Sequence, residues 1–427
     1  MSPKYIIRTL EPVLKRAATE FPAVVLTGPR QSGKTTILKH LFGKRCRYVS
    51  LEPPDVRVAA TEDPRGFLEM HPPPVIFDEV QYAADLLPYV KEKIDADRDN
   101  RGQYLLTGSQ NLLLTEKVTE SLAGRAAVLR LLPLSNREAF SAPRMPLPWE
   151  AGAYDGRRSL TNSPSGAHWG SRATQIARRN IPYRKLWKSF LRGGYPELRA
   201  HPRRDANLWY ASYVQTYLER DVRMLRQVGD LSQFQSFLRV LAARSAQLLN
   251  LADIASDLGV AVNTAKAWLS VLEATYQVIV LRPYFANVGK RLVKTPKVYF
   301  TDVGTLCYLA GLKDPEHAAS GPMGGAIMET AVLCEIVTTL TNRGIDPRVY
   351  FWRTTAGTEV DIVVETDGKL VPIEVKLSAT PRSRMASGIK AFQKDMGDKA
   401  MPGYVVHPGD VRLPLGAGVT ALPFAAL

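Results

Sequence analysis

Two rhythms of apolar positions alternate through the first third of this chain. Runs of consecutive apolar residues, AVVLT (23–27), PVIFD (74–78) and QYLLTGS (103–109), are separated by stretches in which apolar residues recur every three to four positions. Continuous runs predict strands buried on both faces, and the periodic stretches predict crossover helices. Residues 1–140 therefore read as an α/β unit built on a parallel sheet. A fourth run, AAVLRLLPL (126–134), predicts a further strand that closes at Pro133.

The pattern breaks near residue 141. From there to residue 182 the chain reads as a flexible insertion rich in Arg, Gly and Pro, with APRMPLP, LTNSPSG and GSRATQIARRN in succession. Helical periodicity then dominates residues 183–297. Trp209, Tyr213 and Tyr217 step by four there, which predicts core packing rather than a base-stacking platform. Short strands return from Val298, with a helix near residues 324–341, so residues 298–427 read as a third unit.

Composition narrows the class. At 427 residues, 45% of them hydrophobic, the chain is long enough for two or three globular cores. The 56 Lys and Arg against 41 Asp and Glu leave a charge of +15, which points to a polyanionic partner such as nucleic acid. Cys46, Cys307 and Cys334 form neither a disulfide framework nor a zinc spacing, and the six histidines form no metal motif. The opening MSPKYIIRTL lacks the apolar core of a signal peptide, and no apolar run approaches the length of a membrane span. A cytoplasmic protein with no membrane partner is expected.

Chemistry enters at Gly28-Pro29-Arg30-Gln31-Ser32-Gly33-Lys34-Thr35, which satisfies GxxxxGK[ST] between an apolar strand and the helical TILKHLF. The glycines let backbone amides face the phosphates, Lys34 neutralises phosphate oxygens, and Thr35 offers a hydroxyl to Mg2+, with Thr36 next in the loop. Asp78 and Glu79 end an apolar strand: Asp78 is expected to hold the Mg2+ shell and Glu79 to polarise the attacking water. Ser109 or Gln110, after the next strand, is placed either to sense the γ-phosphate or simply to turn the chain. Arg125 is placed to stabilise transition-state charge in cis or across a subunit contact of an oligomer, or to serve as an ordinary inter-element arginine.

Two further constellations follow. Leu251–Leu272 has the pattern of a helix-turn-helix, with Ile254, Ala255 and Leu258 on one apolar face and Gly259 at the turn. Asn263, Thr264 and Lys266 fall on its outer side, and YQVIVLRPY reads as the start of a wing followed by Lys290, Arg291 and Lys294. This unit reads either as a DNA-binding module or as a packing and protein-partner domain. Near the end, VDIVVE and LVPIEVK flank the turn Thr366-Asp367-Gly368, a hairpin signature that puts Glu374 and Lys376 on one strand face. With Asp361 on the first strand and Glu329 on the upstream helix, these residues suit Mg2+-dependent phosphodiester cleavage, or form a plain charged face.

Taken together, LTGPRQSGKTT, VIFDEVQ, LLTGSQ, LAGR, FLRGGYPEL, YLERDV, PKVYFTDVGTLCYLAG, FWRTTAGTEVDIVVE and LVPIEVK resemble the bacterial and archaeal AAA-type P-loop ATP-binding proteins with a C-terminal restriction-endonuclease-like domain of the PD-(D/E)xK class. The resemblance implies an α/β ATPase domain of the ASCE/AAA type, a helical, winged-helix-like middle and an α/β nuclease-like tail. It implies ATP and Mg2+ as cofactors, with Lys34, Thr35, Asp78 and Glu79 in the ATPase site and Glu329, Asp361, Glu374 and Lys376 in the nuclease core. The expected function is an ATPase whose nucleotide state controls nucleic-acid binding or cleavage, in defence, mobile-element or toxin-type activity. The alternative is an ATP-dependent switch that binds DNA or a protein partner and carries a catalytically silent tail.

Overall fold

A computed structural model describes residues 5–109, 120–150, 181–217, 230–284 and 294–427. The first domain is a sheet of five parallel strands: β1 (Ala23–Thr27), β2 (Arg47–Ser50), β3 (Val75–Asp78), β4 (Tyr104–Gly108) and β5 (Ala126–Arg130), in the order β2-β3-β4-β1-β5. Alternate residues of β1 enter different cores. Ala23 and Val25 pack with Phe77, Leu106, Val90 and Ile94 on one face, whereas Val24 and Leu26 pack with Leu10, Leu14, Ile37 and Leu38 on the other. This two-sided burial explains why the strands read as unbroken apolar runs. The expected fourth strand ends at Arg130, and Leu131–Leu134 continue as irregular buried chain.

The central part begins with helices Tyr183–Arg192, Pro196–Ala200 and Ala206–Tyr217. Trp209 and Tyr213 are both buried and stacked with ring centroids 5.1 Å apart, as the four-residue step predicts. Helices Leu251–Leu258 and Val262–Ala274 form a helix-turn-helix around Gly259, which caps the first helix in a left-handed conformation. β6 (Val278–Leu281) and β7 (Lys297–Phe300) follow as an antiparallel pair. The boundary expected at 297/298 thus falls inside a hairpin, and β7 belongs with the helix-turn-helix.

The last part holds a six-stranded mixed sheet in the order β12-β13-β11-β10-β9-β8. Its strands are β8 (Val349–Arg353), β9 (Glu359–Thr366), β10 (Lys369–Val375), β11 (Gly403–His407), β12 (Leu413–Pro414) and β13 (Val419–Pro423). β9 and β10 make the predicted hairpin around Asp367-Gly368. One apolar core runs without interruption from Trp187 through Phe237, Trp268 and Tyr299 to Ile327, Ile373 and Val406. Helix Gly324–Asn342 crosses this core. It is long and apolar enough to span a membrane by length and composition, contrary to expectation, but 78% of its apolar window is buried in the protein.

The insertion also differs from expectation in its first ten residues. Leu147 and Trp149 are buried, Tyr404 donates a hydrogen bond to the Pro148 carbonyl at 3.1 Å, and Arg343 reaches Glu150 at 2.6 Å. Two buried side chains and two tethers make 141–150 part of the packed body, while residues 151–180 lie outside the described set.

Candidate functional site

The phosphate loop leaves β1 with Gly28 at φ 144° and enters helix Lys34–Phe42 through Gly33 at φ 94°. A Cβ at Gly28 would collide with the Leu131 carbonyl, so close approach as well as angle demands glycine there. Lys34 is buried, and its ammonium folds back onto the carbonyls of Gly28 and Pro29 at 3.0 and 2.9 Å. Ser32 Oγ is buried without a hydrogen-bond partner, a polar group that a phosphate oxygen would satisfy.

β4 lies between β1 and β3, and this order assembles the acidic centre. Thr35 donates to both oxygens of Asp78 at 2.9 and 3.0 Å, and Tyr48 donates to Asp78 at 2.8 Å. Thr107 on β4 donates to Asp78 and accepts the Glu79 N–H at 3.1 Å. Thr107 and Tyr48 were not singled out from sequence. The usable signal was a hydroxyl at the end of the strand next to the acidic one. Glu79 sits in a left-handed conformation, φ 57°, with its carboxylate held by Gln81 at 2.5 Å and Ser109 at 3.1 Å. Burial pushes this carboxyl up, but the Lys34 and Arg30 charges and the two hydrogen bonds outweigh it and leave Glu79 below its ordinary value. Glu79 is therefore ionised at neutral pH, as a group that polarises water must be.

Ser109 accordingly touches Glu79, and Gln110 lies outside the described residues. Arg125 is occupied elsewhere: it forms a two-pronged ion pair with Asp95 at 2.6 and 3.0 Å. A cleft of about 450 Å3 opens over Gln31, Gly33, Lys34, Thr35 and Thr36. Its opposite wall is Pro196, Glu197, Ala200 and His201, so the central helices complete the site. The central part also reaches the root of the loop, where the Tyr276 hydroxyl donates to Thr27 Oγ1 at 3.0 Å.

On the helix-turn-helix, Ile254, Ala255, Ala265, Trp268, Leu269 and Leu272 are buried while Asn263 and Lys266 are exposed, as the periodicity predicts. Thr264 is partly exposed, Lys294 is exposed ahead of β7, and Lys290 and Arg291 lie outside the described residues.

The tail brings most of its predicted residues together. Ile362 pairs with Ile373, so Asp361 and Glu374 come next along the two strands, and Asp361 accepts the Val375 N–H at 2.7 Å. Lys376 reaches Glu374 at 2.5 Å on the same strand face, while Ile373 and Val375 enter the core behind. Glu374 Oε2 is buried and without a hydrogen-bond partner. Burial, then the nearby Asp361 charge, push Glu374 up to about 8, and burial raises Asp361 as well. Lys376 stays cationic because its carboxylate neighbours outweigh its burial.

Glu329 is placed at the edge of this cluster with other partners. Lys297 donates to it at 3.0 Å and Tyr299 at 2.5 Å, and Lys297 also pairs with Glu359 at 2.5 Å. Among the described residues no three His, Cys, Asp or Glu side chains converge as a metal-holding group. The expected shell of Glu329, Asp361 and Glu374 is thus not assembled, because a buried lysine and a tyrosine claim Glu329. Lys297 was not foreseen as part of this cluster.

Comparison with known proteins agrees with the phosphate-loop geometry of the first domain. Residues 20–140 match an AAA domain, and residues 183–316 and 324–427 match two domains of unknown function, DUF8612 and DUF4143. Uncharacterized proteins of Mycobacterium tuberculosis and Mycobacterium bovis are each 31% identical over 414 residues, covering 96% of this chain and 82% of theirs. Among solved structures, a Walker-type ATPase of Pyrococcus abyssi is similar at 14% identity and a TM-score of 0.43, covering 70% of this chain and 94% of that one. A Holliday junction branch migration motor of Thermotoga maritima is similar at 16% identity and a TM-score of 0.27, covering 64% of this chain and 86% of that one. This chain belongs to the family of the two mycobacterial proteins, and its first domain is an AAA-type P-loop ATPase domain.

Proposed function

We propose that the chain is a cytoplasmic ATP-hydrolysing switch whose nucleotide state controls a metal-dependent, nuclease-like tail acting on nucleic acid, DNA first among them, in defence, mobile-element or toxin-type activity. The observation that carries this reading is the meeting of Asp361, Glu374 and Lys376 on one hairpin in a chain that also bears a complete phosphate loop. In the first domain, Lys34 neutralises the phosphates, Thr35 and Asp78 hold Mg2+, and Glu79, oriented by Ser109 and Gln81, takes a proton from water. The oxygen-only donor set of Thr35 and Asp78 suits a hard cation.

In the tail, the buried and unpartnered Glu374 Oε2 beside Asp361 suits a divalent ion, which would supply Lewis-acid activation of a phosphodiester. Lys376 is the cation beside the scissile phosphate. The helix-turn-helix followed by the β6–β7 hairpin supports a winged-helix-like module, with Asn263, Thr264, Lys266 and Lys294, and by sequence Lys290 and Arg291, facing the nucleic acid.

A second reading has an observation of its own. Lys297 and Tyr299 already satisfy Glu329, which favours a tail that is catalytically silent and a chain that works as an ATP-dependent switch on DNA or a protein partner. Plasmid, linear and single-stranded DNA and RNA, each incubated with Mg2+ with and without ATP, separate the two. Cleavage that Asp361→Ala and Lys376→Ala remove, with ATP hydrolysis retained, supports the first. Nucleotide-dependent binding without any cleavage on the full substrate set supports the second.

A further inference from the structure

Arg8 precedes helix Glu11–Glu20 and is 4% exposed, an unusual place for a guanidinium unless it is fully used. It reaches four partners, three that lie close and the Pro133 carbonyl at 3.4 Å. Nη1 donates to the Ser32 carbonyl at 2.8 Å, Nη2 donates to the Leu132 carbonyl at 2.6 Å, and Nε lies 3.2 Å from Glu138 Oε1. The first of these partners is inside the phosphate loop. A trans peptide is planar, with its C=O and N–H on opposite sides, so fixing the Ser32 carbonyl also fixes the Gly33 N–H in the row of loop amides that receives phosphate. Gly33, at φ 94°, has no side chain to restrain that peptide, so the restraint must come from outside the loop.

The other partners lead away from the nucleotide. Glu138 is fully buried, and its Oε2 accepts from Ser135 N at 3.1 Å and from Asn342 Nδ2 at 3.0 Å. Asn342 Oδ1 in turn accepts the Leu132 N–H at 3.3 Å, so the same Leu132 is held by Arg8 on one side and Asn342 on the other. Asn342 is the last residue of the helix Gly324–Asn342, which carries Glu329 about 20 Å away along its axis. The network is buried and links each member to the next, although Arg8 Nε meets Glu138 only as an ion pair and not as a hydrogen bond, so a shift of one member is passed to its partners.

We propose that Arg8 is a positioning residue of the ATPase, aiming the Ser32–Gly33 peptide at the nucleotide phosphates and tying the phosphate loop through Glu138 and Asn342 to the helix Gly324–Asn342. The assignment rests on the ATPase reading of the first domain and not on the nuclease reading of the tail. Arginine is required because a lysine ammonium cannot span the two carbonyls and the carboxylate together.

Steady-state ATP hydrolysis and hydrogen–deuterium exchange of the full-length chain test both halves. Arg8→Lys raises KM for ATP about tenfold or more and leaves kcat within about twofold, since a ground-state phosphate contact is lost and the chemistry at Glu79 is not. Asn342→Ala raises KM less than Arg8→Lys does, because the direct Arg8–Ser32 contact remains, and loses the change in exchange of residues 324–342 on adding Mg2+ and a non-hydrolysable ATP analogue. An unchanged KM in folded Arg8→Lys, or a fall in kcat alone, overturns the positioning role. A retained exchange response in Asn342→Ala overturns the tie to the helix. If Arg8→Lys does not accumulate folded, Glu138→Gln, which loosens Arg8 without emptying its site, must raise KM in the same direction, and an unchanged KM there counts against the proposal. A wild-type chain that neither binds nor hydrolyses ATP sinks the ATPase reading instead.

Discussion

Replacing Glu335 with glutamine tests how firmly the ATPase domain is docked on the tail. Arg137 and Glu335 are 3% and 4% exposed, and Arg137 Nη1 donates to Glu335 Oε1 at 3.0 Å. The other carboxylate oxygen accepts Asn136 N at 2.6 Å and Asn136 Nδ2 at 3.1 Å. Glutamine matches the volume of glutamate, so no cavity opens. It leaves the buried guanidinium without its counter-charge and offers one acceptor where two are used. Breaking a buried pair in this way costs about 3–5 kcal/mol. Removing both charges, in Arg137→Met with Glu335→Leu, restores stability except for the orphaned Asn136 N–H, Asn136 Nδ2 and residue-137 backbone N–H, each worth about 1–3 kcal/mol where it stays buried. Urea unfolding followed by tryptophan fluorescence reads both, because Trp187 and Trp268 are buried in the large apolar core. A loss below about 1 kcal/mol in Glu335→Gln would mean that the pair is solvated and the two parts are not docked through it.

Further outcomes follow from the same geometry. Glu79→Gln keeps ATP binding and loses turnover, whereas Lys34→Ala loses binding, both read by fluorescent-nucleotide titration beside phosphate release; normal turnover in Glu79→Gln sinks its role as base. Glu329 and Glu374 are pushed by burial and by Asp361 up to about 7 and about 8, so the folded chain holds protons the unfolded chain has released above about 4.5. Stability in chelator therefore falls as pH rises through that window, and Mg2+ flattens the fall; a chelated protein that gains stability from pH 5 to 8 contradicts the buried cluster. Gly193→Ala drives a Cβ into the Tyr210 hydroxyl and Asp302 at a positive φ of 66°, which costs several kcal/mol by melting; a neutral effect would refute the close packing. Residues 141–150 resist trypsin although they look like linker, because Leu147 and Trp149 are buried; an early cut at Arg144 would show otherwise.

What could be read from sequence was local, and what could not depended on partners far along the chain. The phosphate loop, the Asp78-Glu79 pair and the Asp367-Gly368 hairpin are contiguous patterns with their own backbone demands. Thr107 sits in the quoted LLTGSQ, yet its role appears only when β4 is inserted between β1 and β3. β2 was missed because RYVS is four residues long with a single buried position at the sheet edge. The split at 297/298 followed an apolar run, VYF, whose hydrogen-bonding partner β6 lies on the other side of that split. The Pro- and Arg-rich composition after residue 141 concealed two core side chains, Leu147 and Trp149, since composition averages over positions and burial does not.

The placement of the nucleotide cleft has a mechanical consequence. Three separate contacts from outside the first domain converge on the phosphate loop: Pro196 and Ala200 wall the cleft, Tyr276 holds Thr27 at its root, and Asn342 reaches it through Glu138 and Arg8. Tyr276 follows the helix-turn-helix directly, and Asn342 ends the helix that carries Glu329. A phosphate entering the loop competes with the Gly28 and Pro29 carbonyls for the Lys34 ammonium and draws it toward the nucleotide. That rearrangement is felt at the Ser32 and Thr27 ends of the loop, where the outside contacts attach. The Tyr276 and Asn342 contacts run through hydrogen bonds and a buried ion pair, so they transmit displacement and do not merely yield. On the proposed function, ATP binding and the positions of the two outer modules are linked in free energy, and a partner whose affinity nucleotide changes by some factor must change nucleotide affinity by the same factor.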